Sequence, residues 1–384
     1  MKQLFYPIWK NKNLKIVLPL TPVLSPTEGI HFLIFHKTIQ APFWKINTLT
    51  PIIECSNLAL NLAWMITKNG FIPDFWANIQ WNAHHPFNRG VNILGRNPLS
   101  RTWGEPVNFP KKLPEVKYSQ EWLLKLKKTC NKYINFWKKS LPCFLLFSGG
   151  IKNFPQGSQE FLEAEKIFNF NKTPKKKKDV LWVNEKFILT IPRMPHLTGF
   201  HFQIFPYLKY WNKIGGFRSP WQLPKDINST QSHFQIQGFL EMTAILFGVI
   251  KILLKERGLN FYNPEIHFSG NWNKDLLLKE KGGKLSLDFN KNIKKKNVVQ
   301  QIKIIEKEKK KYAINGPDEF RTVGHGHLYA TFSPKKFVKL PRRPIEIMPS
   351  EWKKIISLRR KKINLLRKLL QKNLTCWLKN NSNS

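Results

Sequence analysis

Residues 238–258, GFLEMTAILFGVIKILLKERG, are apolar on nearly every face of a helix. A helix of this kind has no side to offer to water, so it predicts a core helix near 239–257 that other parts of the chain must enclose. Gly258 stands where a helix stop is expected, because glycine takes the left-handed turn after a last helical residue at no steric cost. Its longest uncharged run, Met242 to Ile250, is flanked by Glu241 and Lys251 and is too short to cross a bilayer. No uncharged apolar run of eighteen residues occurs anywhere, so no membrane span is expected.

What surrounds that core is strongly basic. Sixty-four Lys and Arg against twenty-four Asp and Glu give a net charge of +40. Such a charge repels itself in a free globule and matches a polymeric anion as partner. A hydrophobic share of 42% and twenty-nine Phe exclude a wholly disordered basic tail, and 384 residues leave room for more than one packed unit. Lys outnumbers Arg 52 to 12, Ala occurs nine times, and Asn, Phe and Ile abound. Those preferences follow A/T-rich codons, and fourteen Trp fit a code in which TGA also reads as Trp. The expectation is mitochondrial coding and a mitochondrial location. Cys55, Cys130, Cys143 and Cys376 are widely spaced, with no C-x-x-C, so neither a zinc ribbon nor a disulfide scaffold is indicated. The N-terminal MKQLFYPIWKNKNLK has neither a secretory hydrophobic region nor transit-peptide character.

The fold expected is α+β, a mixed aromatic-rich globular core with long basic extensions. Residues 1–112, rich in Pro, Trp and Asn, read as short strands (IVLPL, HFLIF) and ordered loops, with a helix in SNLALNLAWMITK ending before Gly70. Residues 113–278 read as an α/β core. Ser119 opens a helix over 119–139 whose stripe is Trp122, Leu126, Cys130, Tyr133 and Trp137, and Pro142 closes it. LPCFLLFSGG predicts a buried strand and turn, and SQEFLEAEKIF a small acidic helix from Ser158. Residues 171–179 read as a lysine-rich loop, and VLWVNEKFILTI as two strands around Asn184-Glu185. Residues 196–236 predict aromatic strands; HFQIF at 201 recurs as HFQIQ at 233, an echo too short to make a repeat. Residues 279–315 form a Lys-rich insertion or arm, with twelve lysines against four acids between Lys279 and Tyr312. Residues 316–384 are a C-terminal extension carrying a basic helix over 350–372.

That last helix is capped by Ser350 and has Glu351 in its first turn. Trp352, Ile355, Ile356, Ile363, Leu366, Leu369 and Leu370 share one face. The other carries Lys353, Lys354, Arg360, Lys361, Arg367 and Lys368 with no acid among them. Like charges at this spacing cost a few tenths of a kcal/mol each, so such a face predicts an anionic partner.

Sites of chemistry are scarce in the pattern. His325 and His327 would share a side of a strand, but no H-E-x-x-H accompanies them. His31 and His36, like His196 and His201, are badly spaced for one helical face, and His84 and His85 diverge. GVNILGRN has the outer glycines of a phosphate loop but Arg96-Asn97 in place of Lys-Ser/Thr. Asp74, Glu241 and Glu265 form no recognisable dyad. No catalytic residue, metal site, cofactor or small-molecule substrate is expected. Cations interleaved with aromatics (FRSPW, FSPKKFVKLPRR) point to phosphates and unpaired bases. The expected RNA-binding residues are Lys175, Lys176, Lys177, Lys178, Arg218, Lys294, Lys295, Lys296, Lys335, Lys336, Arg342, Arg343, Arg360, Lys361, Arg367 and Lys368.

In composition and organisation the chain resembles organelle-encoded ribosomal proteins. Gly326-His327, followed four residues later by Phe332-Ser333-Pro334, is similar to the Gly-His…Phe-Ser-Pro stretch of the ribosomal protein S nineteen family. The match covers about nine residues. It implies that Gly326, His327 and Phe332 belong to an rRNA-contacting turn. The resemblance implies a structural rRNA-binding protein, of the small subunit in preference to the large, with rRNA and neighbouring ribosomal proteins as partners. An organellar RNA-processing enzyme and an extramembrane subunit of an inner-membrane complex are the alternative classes.

Overall fold

Short runs rich in apolar and aromatic residues become strands that pair antiparallel throughout. The computed structural model describes residues 5–20, 29–40, 42–69, 76–81, 90–96, 118–140, 146–147, 150–169, 177–193, 199–207, 209–210, 230–255, 262–269, 325–331 and 349–382. In chain order the elements are β1 (Phe5–Lys10), β2 (Leu14–Pro19), β3 (Gly29–His36), α1 (Thr50–Lys68), β4 (Trp76–Trp81), β5 (Gly90–Arg96), α2 (Gln120–Ser140) and α3 (Gln159–Asn169). They continue with β6 (Lys178–Val183), β7 (Phe187–Pro192), β8 (Gly199–Pro206), α4 (Thr230–Lys255), β9 (Tyr262–Ser269), β10 (His325–Thr331) and α5 (Pro349–Asn381). The class is α+β, as the sequence predicts.

All ten strands among the described residues belong to one sheet, ordered β1-β2-β3-β5-β4-β9-β10-β8-β7-β6. That order is two equivalent units meeting at β4 and β9. The first is β1-β2-β3-α1-β4-β5-α2 and the second is β6-β7-β8-α4-β9-β10-α5. The registers agree with a two-fold axis: Gln80 faces His267, while Ile79 faces Phe268 and Trp81 faces Ile266. The hairpins agree too. The β1–β2 register shifts between Pro7 and Trp9, and the β6–β7 register between Val180 and Trp182. In the first turn Asn11 Oδ1 accepts from the Asn13 and Leu14 amides at 2.9 and 2.6 Å. In the second, Asn184 Oδ1 accepts from the Lys186 and Phe187 amides at 3.0 and 2.7 Å. Trp9, Asn11 and Pro19 thus recur as Trp182, Asn184 and Pro192. GIHFLIFH of β3 recurs as GFHFQIFP of β8.

Pleating separates two faces. One face carries Ile16, Phe32, Ile79, Ile93, Phe202, Ile266 and Leu328, packed with α1, α2, α4 and α5 in one core. The other carries Val180, Ile188 and Phe205 beneath Phe161, Ala164 and Phe168 of α3. Helix α4 lies on the middle of the sheet, buried from Ile236 to Ile250. Two glycines permit this closeness. A Cβ on Gly326 would stand 2.8–2.9 Å from Ile204, Phe268 and Leu246, and one on Gly248 would stand 2.7 Å from the Trp377 ring of α5. Glu241 of α4 is fully buried. It accepts from Lys186 Nζ at 2.9 and 3.0 Å, from Gln237 Nε2 at 2.9 Å and from the Phe147 amide at 2.9 Å. Burial pushes its carboxyl up, against the downward pull of Lys186 and the other donors.

Several expectations are corrected. Leu146 and Phe147 form a turn, with Phe147 at φ 55° and the Gly150 amide donating to its carbonyl, where a strand was expected. The echo HFQIQ at 233–237 is helical, because α4 begins at Thr230, so the region expected as strands to 236 is not all strand. Lys178 and Asp179, assigned to a loop over 171–179, begin β6. The C-terminal helix runs from Pro349 to Asn381, beyond the expected 372. Gly326 and His327 sit inside β10, between β8 and β9, and not in a turn. Strands from residues 1–112, 113–278 and 316–384 all contribute to the same sheet. The arm at 279–315, Gly258 and Phe332 lie outside the described residues.

Candidate nucleic-acid interface

Helix α5 is built from two incompatible faces. Ile363, Leu366, Leu370, Leu374 and Leu378 recur every three or four residues and are all buried. Arg360, Lys361, Lys362, Lys368, Lys372 and Lys379 are exposed, and Glu351 is the helix's only acid. From Lys361 to Lys379 this face runs roughly 27 Å at 1.5 Å per residue. Helix α2 repeats the design. Ser119 Oγ caps it by accepting from the Trp122 amide at 3.2 Å. Leu123, Leu126, Cys130 and Ile134 are buried, whereas Lys125, Lys128 and Lys132 are exposed. These lysines of α2 are not among the RNA-binding residues expected from the sequence.

The structure separates the cations expected at phosphates into two kinds. Arg360, Lys361 and Lys368 are exposed on α5. Arg367 is not: its Nε donates to the Val180 carbonyl at 2.7 Å, and its guanidinium lies 3.8 Å from Glu165 of α3. Gln371 Nε2 donates to the Leu181 carbonyl at 3.0 Å, and Trp182 Nε1 to Thr375 Oγ1 at 3.2 Å. β6 is an edge strand, so Arg367 and Gln371 satisfy carbonyls that would otherwise invite another strand. Lys178 is likewise engaged, its ammonium standing 4.1 Å from the Phe205 ring centroid and 5.4 Å from that of Phe168. Lys177 is half-buried just before β6. Lys175, Lys176, Arg218, Lys294, Lys295, Lys296, Lys335, Lys336, Arg342 and Arg343 lie outside the described residues.

The acids of α3 are also held by the chain's own groups. Glu163 accepts from Tyr207 Oη at 3.0 Å and from Lys209 Nζ at 3.2 Å, and these hydrogen bonds hold its carboxyl below the usual range.

On the face opposite α4 the second unit carries polar groups. His201 Nε2 and His327 Nδ1 share a hydrogen bond of 2.6 Å, their rings stacked 4.9 Å apart. His267, across from His327, contacts Glu265. Gln203 is 8% exposed, and its Oε1 has no hydrogen-bond partner among the described residues. Among the described residues no group of three or more His, Cys, Asp or Glu is placed to hold a metal ion. Elsewhere Thr38 Oγ1, His36 and Glu54 form a hydroxyl–imidazole–carboxylate row at 2.8 and 2.7 Å. The Thr38 amide also donates to His36 Nδ1 at 3.2 Å, which makes Nδ1 the acceptor and Nε2 the donor to Glu54. The Ile39 and Gln40 amides donate to the His36 and Thr38 carbonyls. The three amides of this turn are therefore committed, and none is left to hold an oxyanion.

One described helix segment, Ile236–Lys255, is long and apolar enough to cross a membrane, and 94% of its apolar eighteen-residue window is buried within the protein. Cys55 and Cys130 are buried free thiols, whose pKa burial raises, and Cys376 is an exposed one. Comparison with protein-family models, curated proteins and solved structures finds no match for the chain.

Proposed function

We propose that this chain is a non-enzymatic structural protein of the mitochondrial ribosome that binds rRNA, on the small subunit in preference to the large, beside neighbouring ribosomal proteins. The observation that carries the reading is the exposed cationic face of α5, anchored by the buried stripe Ile363, Leu366, Leu370, Leu374 and Leu378 on its other side. A surface helix that merely meets water usually interleaves acids with its bases, and α5 has none beyond Glu351. The +40 charge extends the same preference to the whole chain, and the codon-like bias of the composition supports the organelle.

RNA affinity measured against salt tests the reading. Each phosphate contact contributes roughly 0.7 to the log–log slope on single strands and about 0.9 on B-DNA. Changing Arg360, Lys361, Lys368 and Lys372 together to Gln should flatten the slope by roughly two to three units and leave the apolar face docked. Co-sedimentation with mitochondrial rRNA in sucrose gradients is expected for the native protein. Unchanged slope and affinity in the Gln variant would remove the basis of the proposal.

A further inference from the structure

The two-fold relation between the units extends to their cationic helices. α2 and α5 each follow the fifth strand of their unit. α2 packs on α1 and β1, and α5 packs on their counterparts, α4 and β6. The axis passes between Gln80 and His267 of two neighbouring antiparallel strands, so it runs perpendicular to the sheet. It passes between α1 and α4, which pack on one another and are themselves largely buried, so the exposed cationic faces about it are those of α2 and α5. The helix row is therefore α2-α1-α4-α5. At the usual 8–10 Å between packed helices, α2 and α5 stand roughly 24–30 Å apart, on opposite sides of the axis.

The units have diverged elsewhere. Register equates Leu33, Asn92 and Gln80 of the first with Gln203, His327 and His267 of the second. The outer cationic faces of α2 and α5 persist through that divergence although their sequences differ. Lys125, Lys128 and Lys132 are exposed on one, and Lys361, Lys368 and Lys372 on the other. Each helix has a single acid, in or near its first turn (Glu121 and Glu351).

A duplex of two antiparallel nucleic-acid strands carries local two-fold axes perpendicular to its own, and a two-fold protein engages it with the axes aligned. A single strand has no such symmetry. Double-stranded RNA is recognised chiefly by shape and backbone, through phosphates on both strands, and a separation of this size is comparable to the width of a double helix. Resting on the RNA-binding reading above, we infer that the ligand of this surface is double-helical RNA, gripped on its two strands by α2 and α5 about the internal two-fold axis.

The test uses the full chain, a blunt RNA duplex and either of its strands alone, with affinities read at several salt concentrations. One variant carries Lys125→Gln, Lys128→Gln and Lys132→Gln; the other carries Lys361→Gln, Lys368→Gln and Lys372→Gln. All six residues are exposed, and urea unfolding of each variant verifies that it folds. The expected result is duplex binding about tenfold or more tighter than single-strand binding, a difference of about 1.4 kcal/mol. Both variants should weaken it alike, each flattening the salt slope by roughly two units. If the α5 variant weakens binding and the α2 variant does not, or if the single strand binds as tightly as the duplex, the two-fold grip is overturned while RNA binding stands. If neither variant changes binding, the RNA-binding reading falls with it.

Discussion

Arg367 and Lys361 lie less than two turns apart on α5 and end in different environments. From the sequence both belong to one basic face. In the structure Lys361 is exposed, while Arg367 reaches around edge strand β6 to the Val180 carbonyl and towards Glu165. No periodicity reveals this, because the acceptor is a backbone carbonyl on an element 187 residues away in sequence. Replacing Arg367 by Met should cost about 1.5–3 kcal/mol, the range for a hydrogen bond from a charged donor, and leave the salt dependence of RNA binding unchanged. Lys361→Gln should do the reverse, with stability within about 0.5 kcal/mol of the native protein. Urea unfolding and binding titrations on the two variants separate the roles, and matching behaviour would refute the distinction. Glu241 was legible only as a lone acid in an apolar helix; beside Gln237 one helical turn earlier, its partners come from a turn and a hairpin. Glu241→Ala leaves three donors without their acceptor, one of them the ammonium of Lys186, and should destabilise by about 3–5 kcal/mol. Adding Lys186→Met should recover part of that loss, because it removes the charge that Glu241 balances in the native protein. Urea midpoints of the single and double variants check both expectations.

At the scale of elements, what one helix face or one strand could decide was legible, and what neighbours decide was not. The stripes of α2 and α5, the Ser119 cap of α2 and the start of α3 at Ser158 follow from spacing, and the β6–β7 hairpin from its alternation around Asn184. Helix α5 instead begins at Pro349, so Ser350, expected as its cap, lies inside the helix. HFQI marks the limit: at 201 the four residues are a strand between β7 and β10, and at 233 they are part of α4. Four residues carry too little preference to outweigh tertiary context. The end of LPCFLLF departs from the expected strand for a related reason, since Phe147 is placed by its amide's bond to Glu241 and not by strand pairing. The contact between α4 and α5 turns on Gly248, and no pattern marks that glycine as structural. Gly248→Ala places a methyl against the Trp377 ring and should cost about 1–3 kcal/mol by overpacking. Combining it with Trp377→Leu should cost less than the sum of the two single changes. Thermal unfolding of the three variants measures this; additive costs would show that the two positions do not meet.

The architecture of the whole molecule was the least legible, because its signal is distributed. W-x-N in two hairpins, a proline at the end of β2 and of β7, and H-F-x-I-F in β3 and β8 are each too short to stand alone. They gain meaning only when strand order shows that they occupy equivalent places. The same order bears on how the chain unfolds. A boundary near residue 112 would let an N-terminal unit melt by itself. Instead β4 and β9 pair at the centre of the sheet, and β10, from the far end of the chain, lies between β8 and β9. One core runs from Ile8 through α1 and α4 to Leu378. Opening either unit alone would expose Trp81 and Phe268 on both sides of the two-fold axis, so loss of one unit removes a wall of the other's core. The units should therefore unfold together. Hydrogen exchange read by mass spectrometry across a urea series should give peptides covering β3 and α1 the same midpoint as peptides covering β8 and α4. Ile266→Asp, which puts a charge into the β4–β9 junction, should lower both midpoints equally. Two separated midpoints in the native protein, or a shift confined to the second unit in the variant, would mean that the units are independently stable and that the sheet joins them without coupling them.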